Sequence, residues 1–245
     1  EMNEQRRIIA AFTEMAPEYE NVVNGELQRF WGWSYNDFVD QLLAMTPICA
    51  GDAILDVATG SAVIPLRLSR QKVVENGRMI GLDITFAMLK QAKERIGYRS
   101  GAICLVCASA MQMPFCSQSF DVATCALATH HMDVSSLLSE MRRVLRAGGR
   151  ITIADVAGSP AWRLPMIKAL LRGVTFLYFL PGQGLARAIA EANALFNIRT
   201  VDEWQAILLK NGFSNIQITH LASKYSWLPD PLIITAVVKG ETPLT

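Results

Sequence analysis

The chain has 245 residues, long enough for one large domain with a full hydrophobic core. Its 23 basic and 22 acidic side chains leave a net charge of +1, which argues against the strong positive field of a nucleic-acid binder. Hydrophobic residues make up 51%, yet no apolar run approaches the roughly 18 residues of a membrane span.

The N-terminus, EMNEQRRIIAAFTEM, is charged and amphipathic, and it reads as a helix rather than a secretory leader. Segment 1–50 is therefore expected to be helical. AILDVA (53–58) is a continuous apolar run ending in a turn, which suits a strand buried on both faces. Ser61 is expected to cap the next helix, with Pro65 in its first turn. RMIGLDI (78–84) predicts a second strand, and TFAMLKQAKERIG predicts a helix with Met88, Leu89, Ala92 and Ile96 on one face and Gly97 as its stop. AICLVCA (102–108) predicts a third strand and FDVATCALA (120–128) a fourth. Asp133 then caps a helix carrying Leu137, Leu138, Met141, Val144 and Leu145, closed by Gly148 and Gly149. RITIADV (150–156) gives a fifth strand.

This alternation over 51–158 is the pattern of β-α-β units around a parallel sheet. Residues 159–199 differ in texture. They are mostly apolar with helical spacing, broken at Pro165 and Pro181, and they read as a cap. In 200–245, TVDEWQAILLKNG is an amphipathic helix capped by Thr200. It feeds FSNIQITHL and LIITAVVKG, two strands without an intervening helix, hence an antiparallel hairpin. The expected architecture is one α/β domain over 1–245. It is a Rossmann-like, doubly wound seven-stranded sheet, mostly parallel with the last strand antiparallel, with N-terminal helices and a helical cap after strand five.

Five cysteines, at 49, 104, 107, 116 and 125, are an odd number lying mostly in apolar runs, which favours reduced thiols and a cytoplasmic protein. Cys104 and Cys107 form a C-x-x-C within a predicted strand, where residues three apart face opposite ways. No metal site is expected there.

The chemistry lies in the loop DVATGSAV (56–63). A dinucleotide loop needs G-x-G-x-x-G so that its backbone can approach a pyrophosphate. Here Ala58 and Ala62 flank a single Gly60. A loop that need not cradle two phosphates tolerates alanine at the outer positions, which points to a phosphate-free nucleoside such as S-adenosylmethionine. Asp83, at the end of the second strand, stands where an acid accepts hydrogen bonds from both ribose hydroxyls.

ILDVATGSAV, GLDITFAMLKQAKERI, ASAMQMPFCSQSFDVATCALATHH, EMRRVLRAGGRITIADV and GFSNIQI occur in an order and spacing that resembles the class I S-adenosylmethionine-dependent methyltransferases. The ubiquinone/menaquinone biosynthesis group is the most similar, and AFTEMAPEYENVVN resembles that group's N-terminal segment. The resemblance spans about residues 10–239 and implies S-adenosylmethionine as cofactor and S-adenosylhomocysteine as product. It places Asp56, Gly60 and Ser61 beside the methionine moiety, with Ala58 also among the cofactor-binding residues, Asp83 on the ribose and Ile84 on the adenine face. Ser109 and Ala110 fall at the adenine edge, Ala126 near the amino-acid tail, and Tyr19 over the cofactor.

Methyl transfer is a direct displacement, so an enzyme aligns the reactants and, where the acceptor requires it, removes a proton. His130 and His131 follow the fourth strand at the carboxyl edge of the sheet, where quinone-type relatives carry Arg-Asn, and they are the candidate bases. Asp155, at the end of the fifth strand, is the candidate orienting acid. Trp162, Leu170, Leu171, Phe176, Tyr178, Phe179, Phe196 and Trp204 are candidates for lining an acceptor pocket, with Trp31 and Trp33 opposite. The expected acceptor is a hydrophobic or aromatic small molecule methylated at O or C. A cyclase or pericyclase that keeps the cofactor without transferring its methyl is the alternative. Transient membrane contact through the cap fits the composition, although no basic amphipathic helix stands out in the sequence to support firm attachment.

Overall fold

A computed structural model describes residues 2–71, 78–97, 103–225, 228 and 230–240. Three helices come first: α1 (Met2–Met15), α2 (Tyr19–Phe30) and α3 (Tyr35–Met45). The sheet alternates with helices through β1 (Ala53–Val57), α4 (Val63–Leu68), β2 (Arg78–Asp83), α5 (Phe86–Ile96), β3 (Ile103–Cys107), β4 (Phe120–Ala126), α6 (Val134–Val144) and β5 (Leu145–Val156). Then come α7 (Pro165–Ala194), α8 (Val201–Lys210) and the hairpin β6 (Phe213–His220) and β7 (Pro231–Val238).

The seven strands are ordered β3-β2-β1-β4-β5-β7-β6. β1 to β5 pair in parallel, and β7 runs antiparallel to both β5 and β6. The hairpin thus inserts its second strand beside β5, and the fold is the expected Rossmann-like one. Every residue of β1 is buried, as its unbroken apolar run requires of a central strand covered on both faces. One core layer packs α6 and α8, through Leu137, Leu138, Met141, Trp204 and Leu208, against one face of the sheet. The other packs Val23, Leu27, Phe38, Val39, Leu42 and Leu68 against the opposite face.

Several local expectations need correction. Ser61 does not cap α4: the N-cap is Ala62, in a left-handed conformation with no side-chain bond, and the Ser61 hydroxyl donates instead to Glu20 at 2.7 Å. α6 ends at Val144, and Gly148 and Gly149 fall inside the longer β5, so they do not close the helix. β2 stops at Asp83 and β4 at Ala126. β3 is described from Ile103, and Ala102 lies outside the described residues. The cap does break at Pro165: Leu164 is extended after a 3-10 turn at Pro160–Arg163, and Pro165 opens α7, where its missing N–H costs nothing. It does not break at Pro181, which lies within the helix; the kink is at Gly184, whose φ of 81° and ψ of 169° interrupt the helical run. Asp133 and Thr200 do cap their helices, Thr200 with Glu203 forming a reciprocal capping box. Among the described residues no helix is long and apolar enough to cross a membrane.

Candidate functional site

Strand order reverses between β1 and β4, so the loops leaving their carboxyl ends flank a crevice, the place where open α/β sheets bind ligands. The loop after β1 has an unusual backbone. Ala58, Gly60 and Ala62 all adopt left-handed φ values, of 55°, 55° and 61°. The alanines do not relax the loop; they hold the conformation glycine would adopt freely, at about 1–2 kcal/mol of strain each. Neighbouring side chains rule out bulk as well. A Cβ on Gly60 would stand 3.3 Å from Met88 and 3.6 Å from the Tyr19 ring, and a Cβ on Gly81 would collide with Thr59 at 2.8 Å.

Two carboxylates sit beneath this loop. Asp56, at 3% exposure, accepts from the Thr59 hydroxyl at 2.7 Å and the Thr124 hydroxyl at 2.6 Å. Burial nevertheless pushes its carboxyl up to about 7, against the pull of the two threonines. Asp83 accepts from the Gly60 N–H at 2.9 Å and the Thr85 N–H at 2.8 Å, and burial also outweighs these bonds and raises its pKa. Each carboxylate oxygen has more than one lone pair, so an acid that these bonds already fix in place can also accept from a ligand hydroxyl. The left-handed loop, a glycine with no room for a side chain and a buried acid at the switch point therefore suit an adenosyl ligand.

The N-terminal segment covers the loop. Tyr19 lies over Gly60 and shares a hydrogen bond with Tyr35. Burial, then the charge of Asp83, lifts the Tyr19 phenol well above its usual range. Glu20 accepts from Ser61 and pairs with Arg95 of α5. Ile84 and Ser109 are half-buried and Ala110 is buried; the Ser109 hydroxyl accepts from the Met111 N–H at 3.3 Å. Ala126, half-buried, ends β4.

Across the crevice, a 3-10 turn at Thr129–His131 follows β4. His130 Nδ1 lies 2.8 Å from an Asp155 oxygen, and Thr129 donates to the other oxygen of Asp155. β4 and β5 are in register up to Ala126 and Ala154, which is why the ends of these strands bring the residues together. The first effect on the buried Asp155 is a rise from burial, but the charge and hydrogen bond of His130 outweigh it and hold the carboxyl below its usual value. Burial pulls His130 down, and Asp155 more than restores it, leaving it raised. His131 differs: burial and the neighbouring His130 push it down to about 4, so its ring is neutral at physiological pH. Phe12 of α1 packs edge-on against His131 with centroids 5.3 Å apart.

A buried charge network that the sequence reading missed lies behind His131. His131 Nε2 lies 3.7 Å from Glu191, and Glu191 lies 3.3 Å from Arg187, which is 3.0 Å from Glu26 of α2. Arg187 is the one charged residue between Gly173 and Ala190, a signal that its charge serves a buried purpose. His130, His131 and Glu191 offer ligand atoms within 4.8 Å of one another. Arg187 already supplies the positive charge that balances Glu191.

The candidate pocket aromatics divide. Trp204 is 2% exposed in the central core, and Trp31 and Trp33 pack on the opposite layer. Phe176 and Phe196, with Ala169, Lys168, Arg172 and Ile189, line a groove of about 620 Å³. Ile189 and Asn193 are shared with a cavity of about 10 Å³ beside His130 and His131, room for about one water. Tyr178 and Phe179 pack edge-to-face on one another, and Leu170 is 67% exposed.

Residues 55–153 match the model of a methyltransferase domain. The chain is 30% identical over 161 residues to a ubiquinone/menaquinone biosynthesis C-methyltransferase of Azotobacter vinelandii, covering 63% of this chain and 60% of that protein. It is 27% identical to a demethylmenaquinone methyltransferase of Staphylococcus carnosus over 88% of each. The matches to the first curated relatives span about three fifths of their length. Among solved structures, the [4+2]-cyclase SpnF aligns over 95% of both chains at a TM-score of 0.70 and 16% identity, a likeness of fold. Motif order, sheet order and these relatives agree: the chain carries a methyltransferase domain over residues 55–153 and is similar to the ubiquinone/menaquinone C-methyltransferases and demethylmenaquinone methyltransferases.

Proposed function

We propose that the protein binds S-adenosylmethionine over the β1 loop and transfers its methyl group to an O or C atom of a hydrophobic, quinone-like or aromatic small molecule. The observation that carries this reading is the pairing, across one switch-point crevice, of the left-handed loop over Asp56 and Asp83 with the His130–Asp155 dyad. When bound, the cofactor supplies a methyl group made electrophilic by a sulfonium. Asp83 holds the ribose hydroxyls, Ile84 and Ala110 flank the adenine, and Ser109 accepts from its amino edge. Asp56, Ser61 and Ala126 border the amino-acid end, and Tyr19 shields the whole from water.

On the acceptor side, the Asp155 contact on Nδ1 fixes the tautomer of His130 and leaves Nε2 as the atom that takes the acceptor's proton. His130 is thus the base, oriented by Asp155. His131 is a neutral neighbour that lines the site, held by Glu191 and Phe12. The groove along Phe176 and Phe196 is the assigned acceptor side, because it shares Ile189 and Asn193 with the cavity beside the two histidines.

Incubation with methyl-labelled cofactor and a panel of quinols, phenols and polyketides tests the reading. Label should appear in at least one apolar acceptor, and failure to bind the cofactor in calorimetry would end the proposal. The same assay separates the alternative, a cyclase or pericyclase on this fold as in SpnF, which would turn over acceptor without consuming cofactor.

A further inference from the structure

The first half of α7 turns an apolar stripe to solvent. Met166, Leu170, Val174, Leu177 and Leu180 recur at steps of three and four residues and so share a face, with Met166 86% and Leu170 and Leu177 each 67% exposed. Of eleven exposed large hydrophobic residues among those described, eight lie between Leu164 and Leu185. Scattered exposure is ordinary on a monomer, whereas a concentration of this kind marks a surface that something covers.

Charge identifies the occupant. From Ser159 to Ala190 the chain carries Arg163, Lys168, Arg172 and Arg187 and no acidic residue. Arg187 is buried against Glu26, and Arg163 pairs with Glu203. Lys168, over the Phe196 ring at 4.3 Å, and Arg172 have no ion pair among the described residues, and both flank the groove beside the stripe. A second copy docked by two-fold symmetry would bring a like-charged face against this one. An anionic bilayer complements it, taking the stripe into the boundary between headgroups and acyl chains and the two cations at the phosphates. The groove shares its walls Ile189 and Asn193 with the cavity at His130 and His131, so the membrane-facing groove adjoins the candidate base.

We propose that this face of α7 docks the protein on anionic membrane surfaces, from which it draws its acceptor. The proposal extends the reading of a hydrophobic acceptor, and vesicle binding is read without turnover, so either can fail while the other stands. The full chain is sedimented with vesicles of phosphatidylcholine and of phosphatidylcholine mixed with phosphatidylglycerol. Binding is expected to the mixed vesicles and to weaken with added salt. Lys168→Ala and Arg172→Ala should each weaken it roughly fivefold. Leu170→Glu with Leu177→Glu should weaken it by more than about tenfold. The leucine variant should bind cofactor normally, since both positions are exposed and lie outside the cofactor crevice. Absence of binding to mixed vesicles would overturn the proposal, as would equal binding to neutral ones. So would a dimer in analytical ultracentrifugation that the leucine variant dissociates while wild type ignores vesicles.

Discussion

Asp56→Asn tests the electrostatics of the cofactor loop with two effects of opposite sign. The folded protein holds this carboxyl at about 7, against 3.8 for the free group. Because the folded value is the higher, the fold keeps a proton that the unfolded chain has released, and stability falls as pH rises from about 4 to about 7. A separation of about three, at about 1.4 kcal/mol for each, withdraws about 4 kcal/mol over that window. An asparagine keeps an acceptor for one of Thr59 and Thr124 and donates its NH2 to the hydroxyl oxygen of the other, as the protonated acid donates its O–H, but it never ionises. The variant should therefore match wild type near pH 4 and exceed it by about 4 kcal/mol at pH 8, about 10 °C in Tm for a chain of this size. Urea unfolding of both proteins from pH 4 to pH 8 reads the gap directly. Affinity should move the other way, since a bound cation favours the ionised acid. Calorimetry should show the variant binding S-adenosylmethionine about 10- to 100-fold more weakly, and wild type releasing protons on binding near pH 7. A stability gap that does not widen with pH would refute the burial argument.

Asp155→Asn should lower kcat by about 10²- to 10⁴-fold with cofactor affinity unchanged, and with the support of the carboxylate gone the acid limb of the pH–rate profile should move to lower pH. The same pair sets a stability window: the contribution of His130, whose value is raised, is full below about 6.5 and lost as pH rises through its folded value, while that of Asp155, whose value is lowered, is lost as pH falls through its own. Ala62→Gly relieves left-handed strain of about 1–2 kcal/mol against about 0.5–1 kcal/mol of added chain entropy, so denaturation should show a variant more stable by about 0.5–1 kcal/mol. Arg187→Met strands Glu26 and Glu191 in the interior. It should cost about 3–5 kcal/mol in urea unfolding at neutral pH, and less at acid pH where the two carboxyls take up protons.

Local chemistry in the sequence was enough to determine most of the frame. The unbroken apolar run of β1 foretold a strand buried on both faces, Thr200 foretold an N-cap, and the alternation of strands and helices foretold the parallel sheet, because each depends on neighbours within a few residues. That Asp56, Asp83, His130 and Asp155 gather at one edge was legible for a related reason: each lies at or shortly beyond the carboxyl end of a strand, and in a parallel sheet those ends share an edge. Other features depended on partners distant in the chain. Ser61 has the side chain of a cap, but Glu20 on α2 claims its hydroxyl. Pro181 looked like the break in the cap, yet Gly184, with freedom to take a φ of 81°, makes the turn. Glu26, Arg187 and Glu191 meet only because α2 and α7 both cross the carboxyl edge of the sheet, so no local spacing could announce their network. Whether an aromatic such as Trp204 or Phe196 fills core or lines a groove was likewise settled by what packs against it, a property of the assembled fold that periodicity along one helix does not contain.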